Sequence, residues 1–544
     1  MAQSTVTSGY ATNVAAAFRQ VGFGVLIAWQ RVTVANTAFF TIGTSTIGGG
    51  DFIKSSGSFV TFFDKYQFTN YSDYVINWSV QRKLGQYPYG MIMAQADVVM
   101  DNTSGLFLPN KDATIGSGIL PNRPLKISAS IGQESLMQFT GYTGQPELSI
   151  SDRKLTLHAF DAMDYISKAS ITTSGTTTSG SSTTTSGYLA NINGSIVFQY
   201  ILTTLGFSTN QYVLDQALQS NYGYISLADR KYGDIINDMV IAEQGLAFVD
   251  EGGIFRFWNR QHFLTTSGVR QYDLDYSNVM ELEYENTPII NDVIVQAKPR
   301  ALTAVSPIWT LGTPQIILPQ QSITIFADFS DADGDLPASA ITTPLSNSDA
   351  KSYFSVNTAM DGTGTNLSGI IVLSNTYLFG KTYKMTFLNT SSTVTGYIWK
   401  LVLSGTAAKV TQSIEQRYLD ATSIEAYGRN PSNNGDPITI INDYIQDSSS
   451  AYSLAYTLVK EYGTPRRRYK ATIFPRPELQ IGDWGRLTVP DANNDVKNTY
   501  IVGIQTQMAI NADFKQILWL EERTPKSYFT VGTSLIAGAD EIAP

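Results

Sequence analysis

Along most of this 544-residue chain the apolar residues recur at every second position, not every third or fourth. That period belongs to a strand with one buried and one wet face. Val25, Ile27 and Trp29 alternate, and then Val32 and Val34. Further strands are expected at Phe39–Ile42, Val75–Val80, Met91–Met100, Leu136–Tyr142 and Leu148–Phe160. Leu125 and Ile127 face one way and Lys126 and Ser128 the other. Gly-rich turns such as IGGGD (47–51) and the DNTSG turn (101–105) punctuate these runs. Short strands at this spacing over roughly 130 residues read as a β-barrel or sandwich. Composition agrees, with 30 Tyr and 26 Phe against 15% charged residues.

The period changes in few places. A weak helical stretch lies at Val14–Gln20. Ile196, Tyr200, Ile201 and Leu205 stand at helical spacing before Gly206. Tyr232, Ile235, Ile236, Met239 and Val240 form a second helical stripe closed by Gly245. A hairpin follows, turning at Asp250-Glu251-Gly252-Gly253. A third helix is expected over 448–462, with Ser448 to Ser450 as N-caps, a stripe from Ala451 to Tyr462, Gly463 at C′ and Pro465 beyond. Ser423–Gly428 reads as a turn. The run 170–187 is Ser/Thr/Gly only, apart from Ile171, and reads as a flexible loop. Strands are expected again at Val279–Tyr284, Asp292–Ala297, Tyr469–Phe474, Gly485–Val489, Tyr500–Ile504 and Lys515–Leu520. Residues 301–407 are poor in Lys and Arg and rich in short strands. They read as an immunoglobulin-like β-sandwich inserted into another domain.

The expected fold class is therefore mainly β and multidomain. The expected units are an N-terminal arm (1–24), a first β-barrel (25–165), the Ser/Thr/Gly loop (166–190) and a small α/β domain (191–265). A second β-barrel would comprise 266–300 and 408–525, split by the sandwich (301–407), with a C-terminal tail (526–544).

Much chemistry is excluded. With no Cys there are no disulfides, thiol nucleophiles or Cys-held metals, and two histidines cannot build a His-rich centre. A formal charge of −9 argues against holding nucleic acid by its phosphates. GxxxxGK[ST], GxSxG and HExxH are all missing. A Ser-His-Asp triad would need His158 or His262, each read as a surface or interface residue. Asp161 with Asp164, and Glu283 with Glu285, are carboxylate pairs of the kind a glycosidase uses, read here as solvated faces or a helix start. No enzyme and no cofactor are expected. Asp331, Asp333 and Asp335 offer clustered hard oxygens for Ca²⁺, although the EF-hand pattern fails at Leu336 and Thr342. Arg466, Arg467 and Arg468 are read as interface residues making ion pairs between subunits. No basic-then-apolar leader and no run long enough to span a bilayer is visible, so a product of the host cytoplasm is expected.

Several segments, taken in order, resemble the tail-hub proteins of long-tailed bacteriophages, also called baseplate hub or minor tail proteins. They are NWSVQR (77–82) with ADVVMDNTSGLF (96–107), then LPNRPLKISASIG (120–132) and FTGYTGQPELSISDRKLTLHAFDAMDYI (139–166). The helix–strand–helix–hairpin of 196–258 and RYKATIFPRPELQIGDWGRLTV (468–489) continue the likeness. YFSVNTAMDGTGTNLSG (353–369) is similar to β-sandwich insertions of such hubs. The opening 60 residues and the loop 170–187 depart from the pattern. The resemblance implies a structural virion protein at the distal tip of the tail. It implies a homotrimer with two tube-type barrels per chain, between the tail tube and the tip or fibre proteins. The expected partners are the distal tail protein, the tail tube protein, the tape-measure protein and tail tip or fibre proteins, with DNA passing through the channel without specific binding. The alternative is a glycan-binding tail adhesin acting through the insert, with Tyr397 or Trp399 stacking on sugars, and after it a tail-associated cell-wall hydrolase.

Overall fold

The computed structural model describes residues 21–29, 68–83, 90–112, 115, 119–132, 134–170, 176–179, 182–185, 188–217, 222–227, 230–260, 262, 270–331, 334–335, 338–339, 341–346, 350–378, 382–489, 495–509 and 514–522. The expected elements at Val14–Gln20, 32–34 and Phe39–Ile42 lie outside them.

The protein is mostly β, spread over several sheets. The largest has fourteen strands. Its first half comprises Val21–Ile27, Thr69–Asn70, Val75–Lys83, Gln95–Asp101, Pro124–Ile131, Glu134–Thr143, Glu147–Ser149 and Lys154–Phe160. Its second half comprises Tyr272–Leu274, Val279–Asn286, Arg467–Ile473, Trp484–Thr488, Val496–Ala509 and Lys515–Glu522. Two separate barrels were expected. Among the described residues neither half closes on itself, and the halves are one sheet. Val75–Lys83 pairs antiparallel with Val496–Ala509, from Asn77 opposite Ala509 to Lys83 opposite Gly503. Val496–Ala509 is long enough to pair also with Trp484–Thr488 and with Lys515–Glu522, so it belongs to both halves.

Alternation decides which side chains go inside. Gln95–Asp101 buries Ala96, Val98 and Met100, and Lys154–Phe160 buries Leu155, Leu157 and Ala159. These join Trp78 and Phe139 in one apolar cluster. Tyr469, Ala471, Leu518 and Leu520 anchor a second cluster under the other half. Met91–Met100 was expected as one strand and is two, because Gly90–Met91 leaves to pair with Leu246–Val249. Leu148–Phe160 is likewise broken by a turn at 150–153, where Arg153 has φ 51°.

Five α-helices are described: α1 (Ala162–Lys168), α2 (Gly194–Thr204), α3 (Tyr232–Ala242), α4 (Ala421–Tyr427) and α5 (Ser448–Tyr462). None is long and apolar enough to cross a membrane. Gly206 ends α2 with φ +90°, as its position predicts. At the end of α3 it is Gln244, with φ 51°, that takes the left-handed turn, not Gly245. Gly463 follows α5 at φ −69°. It is needed there for space, since a Cβ would stand 2.5 Å from the Val459 carbonyl oxygen. The expected turn at Ser423–Gly428 is α4. Asp420 caps it by accepting the Ser423 N–H at 3.1 Å, a signal three residues upstream of the segment read as a turn. In the Ser/Thr/Gly run, Thr176–Ser179 pairs with Ser182–Thr185, in line with the strand preference of Thr.

Helices α2, α3 and α5 pack with Asp292–Ala297 into a third apolar cluster. That strand lies between Ile414–Leu419 and Ile438–Ile441. Between Ala297 and Ile414 the chain leaves to build a separate body with its own core, including Ile325, Met385, Phe387, Ile398 and Leu401. The fifteen-residue strand Gly396–Val410 runs through it and pairs with Arg300–Leu302 at its root.

Asp292 stands where this excursion begins. Its carboxylate is fully buried and takes Arg417 at 2.8 and 2.6 Å, and it also accepts from Arg429 Nε. Asn430 (φ 34°) accepts the Asn291 and Asp292 N–H groups and donates to the Asp292 carbonyl. The Arg417 hydrogen bond, more than Arg429, holds the Asp292 carboxyl below its usual range. A depressed carboxylate contributes stability above its unfolded value of 3.8 and loses it as pH falls through the folded one. Asp292→Asn is expected to lower the thermal midpoint at pH 7. The gap from wild type should narrow below about pH 4, as differential scanning fluorimetry across pH would record.

Candidate functional site

The most heavily built polar site lies where the two sheet halves and the helical unit meet. Leu246–Val249 and Phe255–Trp258 form the expected hairpin, from Leu246 opposite Trp258 to Val249 opposite Phe255. Its turn is locked by Asp250. One oxygen accepts the N–H groups of Gly252 (3.0 Å) and Ile254 (2.9 Å), and the other takes Arg256 Nε at 2.7 Å. Gly253 completes the turn at φ +89°, which a side chain would resist.

This rigid tip inserts Glu251 between the halves. Arg82, on Val75–Lys83, donates to one carboxylate oxygen. Gln480, from the second half, donates to the other at 2.6 Å. Thr140 Oγ1 donates to the Glu251 carbonyl at 2.9 Å. Beside it, Gln138 Nε2 of the first half donates to the Pro477 carbonyl of the second at 3.0 Å. Arg82 is 4% exposed and Glu251 6% exposed, so the pair is desolvated. The Nε and Nη2 groups of Arg82 have no partner among the described residues.

Two more buried carboxyls flank the pair. Asp161 caps α1, accepting the Met163 N–H at 2.9 Å and the Ala94 N–H at 2.8 Å. Burial pushes its pKa up to about 7, against the pull of the Ala94 N–H, the Arg82 charge and the Met163 N–H. Asp483 accepts the Gln480 N–H at 2.9 Å. Burial pushes it up to about 6, and Glu251 adds to the rise. Gly482 (φ +86°) lies under Trp258, where a Cβ would stand 2.6 Å from the indole ring. Trp258 packs edge-on against Phe248 and stacks on His262 at 4.2 Å. Shifted carboxyls in a cleft would point to acid–base catalysis. Here both are capped by backbone donors and enclosed, so the chemistry they offer is holding and releasing protons.

The residues singled out in the sequence fall elsewhere, apart from Asp161 and His262. Asp164 turns away from Asp161 to pair with Lys168 at 2.7 Å. Glu283 pairs with Lys470 at 3.2 Å, and Glu285 is exposed beside it. His158 is on the surface against Asp97 at 2.6 Å, and His262 pairs with Asp215 at 2.9 Å. Of the arginine run, Arg466 pairs with Glu461 at 2.9 Å and Arg468 with buried Glu521 at 2.9 Å, both in their own chain. Arg467 reaches out over the exposed ring of Tyr284, 5.2 Å from its centroid. Ser330–Asp331 pairs with Gly334–Asp335, while Asp333 and the Asp331 and Asp335 side chains lie outside the described residues. Among the described residues no group of three or more His, Asp or Glu could hold a metal. Trp399 is half-buried, with the turn at Gly362 against its ring, where a Cβ would stand 2.8 Å away.

Removing one partner of a buried ion pair leaves the other charge stranded. Arg82→Ala is expected to cost about 3–5 kcal/mol, read from the denaturant midpoint of the sheet transition. Arg82→Met with Glu251→Leu should recover most of that loss.

No family model matches the sequence, and no curated protein matches it either. Solved structures similar to it include tail proteins. The 43 kDa tail protein of prophage MuSo2 from Shewanella oneidensis aligns over 84% of this chain and 96% of its own, with TM-score 0.42 and 10% identity. A tail protein from Neisseria meningitidis covers 84% and 94%, with TM-score 0.43 and 9% identity. A prophage tail protein from Listeria monocytogenes covers 86% and 94%, with TM-score 0.38 and 10% identity.

Proposed function

We propose that the chain is a structural, non-enzymatic virion protein, the homotrimeric hub at the distal tip of a phage tail. In this reading the two sheet halves are its tube-type units, set side by side in a ring. The ring joins the tail tube and distal tail protein to tip or fibre proteins. Its channel holds the end of the tape-measure protein and then passes DNA.

The observation that carries the reading is the sheet of fourteen strands that, among the described residues, ends without closing. At one end, among the described residues, Val279–Asn286 pairs with Arg467–Ile473 and with no other strand. It exposes Met280, Glu281, Glu283, Tyr284 and Glu285. At the other end Val21–Ile27 pairs with Pro124–Ile131, and on its far side, among the described residues, only Leu26 and Ile27 are paired, with Thr69–Asn70. Open edges invite strand addition and must be managed. The ends are unlike, so a second copy meets them head to tail, a heterologous contact that closes into a ring. The order of hub-like segments in the sequence supports the same reading. The acidic balance suits a lumen that must not retain DNA.

The insert favours a second role for one part of the chain. Its three-stranded sheet exposes Phe326 on the face that carries Thr324 and Thr386, an aromatic platform among hydroxyl groups. A glycan-binding adhesin would use such a face.

The test is the native mass of the purified chain by light scattering, with negative-stain imaging. Three times the chain mass and a ring with an axial hole are expected. A stable monomer that binds glycan or cleaves cell wall would overturn the hub.

A further inference from the structure

We propose that Asn434 is a self-modifying residue: the Gly435 nitrogen attacks its side-chain amide, and the isoaspartate that results loosens the clamp on Asp292. The reaction belongs to a single chain and stands whatever the assembly.

Asparagine before glycine is the dipeptide in which this attack meets least obstruction, because the residue that supplies the nitrogen has no side chain. The chain has two such steps, Asn193-Gly194 and Asn434-Gly435. Sequence does not separate them, but the fold does. Asn193 caps α2. Its Oδ1 accepts the Ser195 N–H at 2.9 Å, and its carbonyl accepts the N–H groups of Ile196 and Val197. Gly194 is buried in the first turn, where a Cβ would stand 3.0 Å from the Ala217 Cβ. The amide and the nitrogen that would attack it are both held by the helix start.

Asn434 ends the single turn Pro431–Asn433 in the left-handed region, at φ 53°, and Gly435 follows at φ +84°. It is exposed, and its amide has no hydrogen-bond partner among the described residues. At ψ 24° the Gly435 nitrogen is turned away from the side chain, so attack follows a local opening. Little opposes that opening. The Gly435 N–H reaches the Asn430 carbonyl at a long 3.3 Å, and a Cβ on Gly435 would meet nothing nearer than the Arg429 carbonyl at 3.8 Å.

The step balances without any outside oxidant or reductant. Base takes the proton of the Gly435 nitrogen, which then bonds to Cγ of Asn434. The Cγ–Nδ2 bond breaks, and ammonia leaves with a proton from solvent. Water opens the cyclic imide at either carbonyl, giving aspartate or isoaspartate. Isoaspartate runs the main chain through Cβ and lengthens it by one methylene between Asn430 and Asp436. Those two residues are tied, since Asn430 Nδ2 donates to the Asp436 carbonyl at 2.8 Å. The same Nδ2 donates to the Asp292 carbonyl, and Asn430 Oδ1 accepts the Asp292 N–H at 3.1 Å. The added methylene therefore pulls on the residue that seats Asp292, and on Arg429 beside it.

Peptide mapping with isoaspartate detection, on the full chain incubated at mildly alkaline pH, tests the site. Asn434 is expected to convert at least about tenfold faster than Asn193. Hydrogen–deuterium exchange then tests the effect. The isoaspartate form separated from aged wild type should lose about tenfold in protection over Asp292–Ala297. Asn434→Asp, which adds the charge without the methylene, should keep the protection of the fresh protein. Conversion at Asn434 no faster than at Asn193 overturns the site. Unchanged protection in the isoaspartate form, or an equal loss in Asn434→Asp, overturns the effect on the clamp. The first two readings use wild-type chain, so neither needs a variant to fold.

Discussion

Seven residue pairs between Val75–Lys83 and Val496–Ala509 hold this molecule together. They join segments more than four hundred residues apart in sequence, and without them the fourteen-stranded sheet is two smaller ones. The other large features follow from this seam. The helical unit sits between the halves in the chain, so its hairpin tip reaches the seam where Arg82 lies. The insert leaves from Asp292–Ala297, away from the seam, and it can carry its own core without disturbing the sheet. A non-local pairing of this kind gains nothing until the long loop is closed, so the halves must be largely formed before they join.

Much of the strand content was legible because alternation is a local property. Asp292–Ala297 was read to its ends, and the stripes of α2, α3 and α5 were visible at helical spacing. The errors have physical causes. Met91–Ala94 is apolar and runs straight into the alternation of Gln95–Asp101, and a tertiary partner, Leu246–Val249, is what tells that its first residues leave the sheet. The helix α4 carries a single fully buried side chain, Ser423, so its sequence has no apolar stripe, and Asp420 alone announces it. The expectation of two closed barrels failed on the seam, since pattern shows which face of a strand is buried but not which strand lies beside it.

The junction was nearly invisible for the opposite reason. Arg and Glu are rarely buried, so Arg82 at a strand end and Glu251 in a Gly-rich turn read as surface residues. Asp161 drew notice only for its neighbour Asp164, whose carboxylate pairs with Lys168 instead. One local signal was available. DAMD before an apolar turn is a helix start with an acidic cap, and it placed Asp161 correctly but not its depth.

A polar junction is an unusual choice for holding sheets together, because desolvating Arg82 and Glu251 costs about as much as their attraction returns. Its value lies in register. Side chains alternate with period two, so a two-residue slip of one half against the other would keep every apolar residue on its proper face. Apolar packing alone therefore resists such a slip weakly. The same slip would carry Arg82 about 7 Å along the strand and strand both it and Glu251 without a partner. It would also part Gln138 from the Pro477 carbonyl and pull Gln480 off Glu251. The buried pair thus turns a seam that tolerates several alignments into one that tolerates a single alignment.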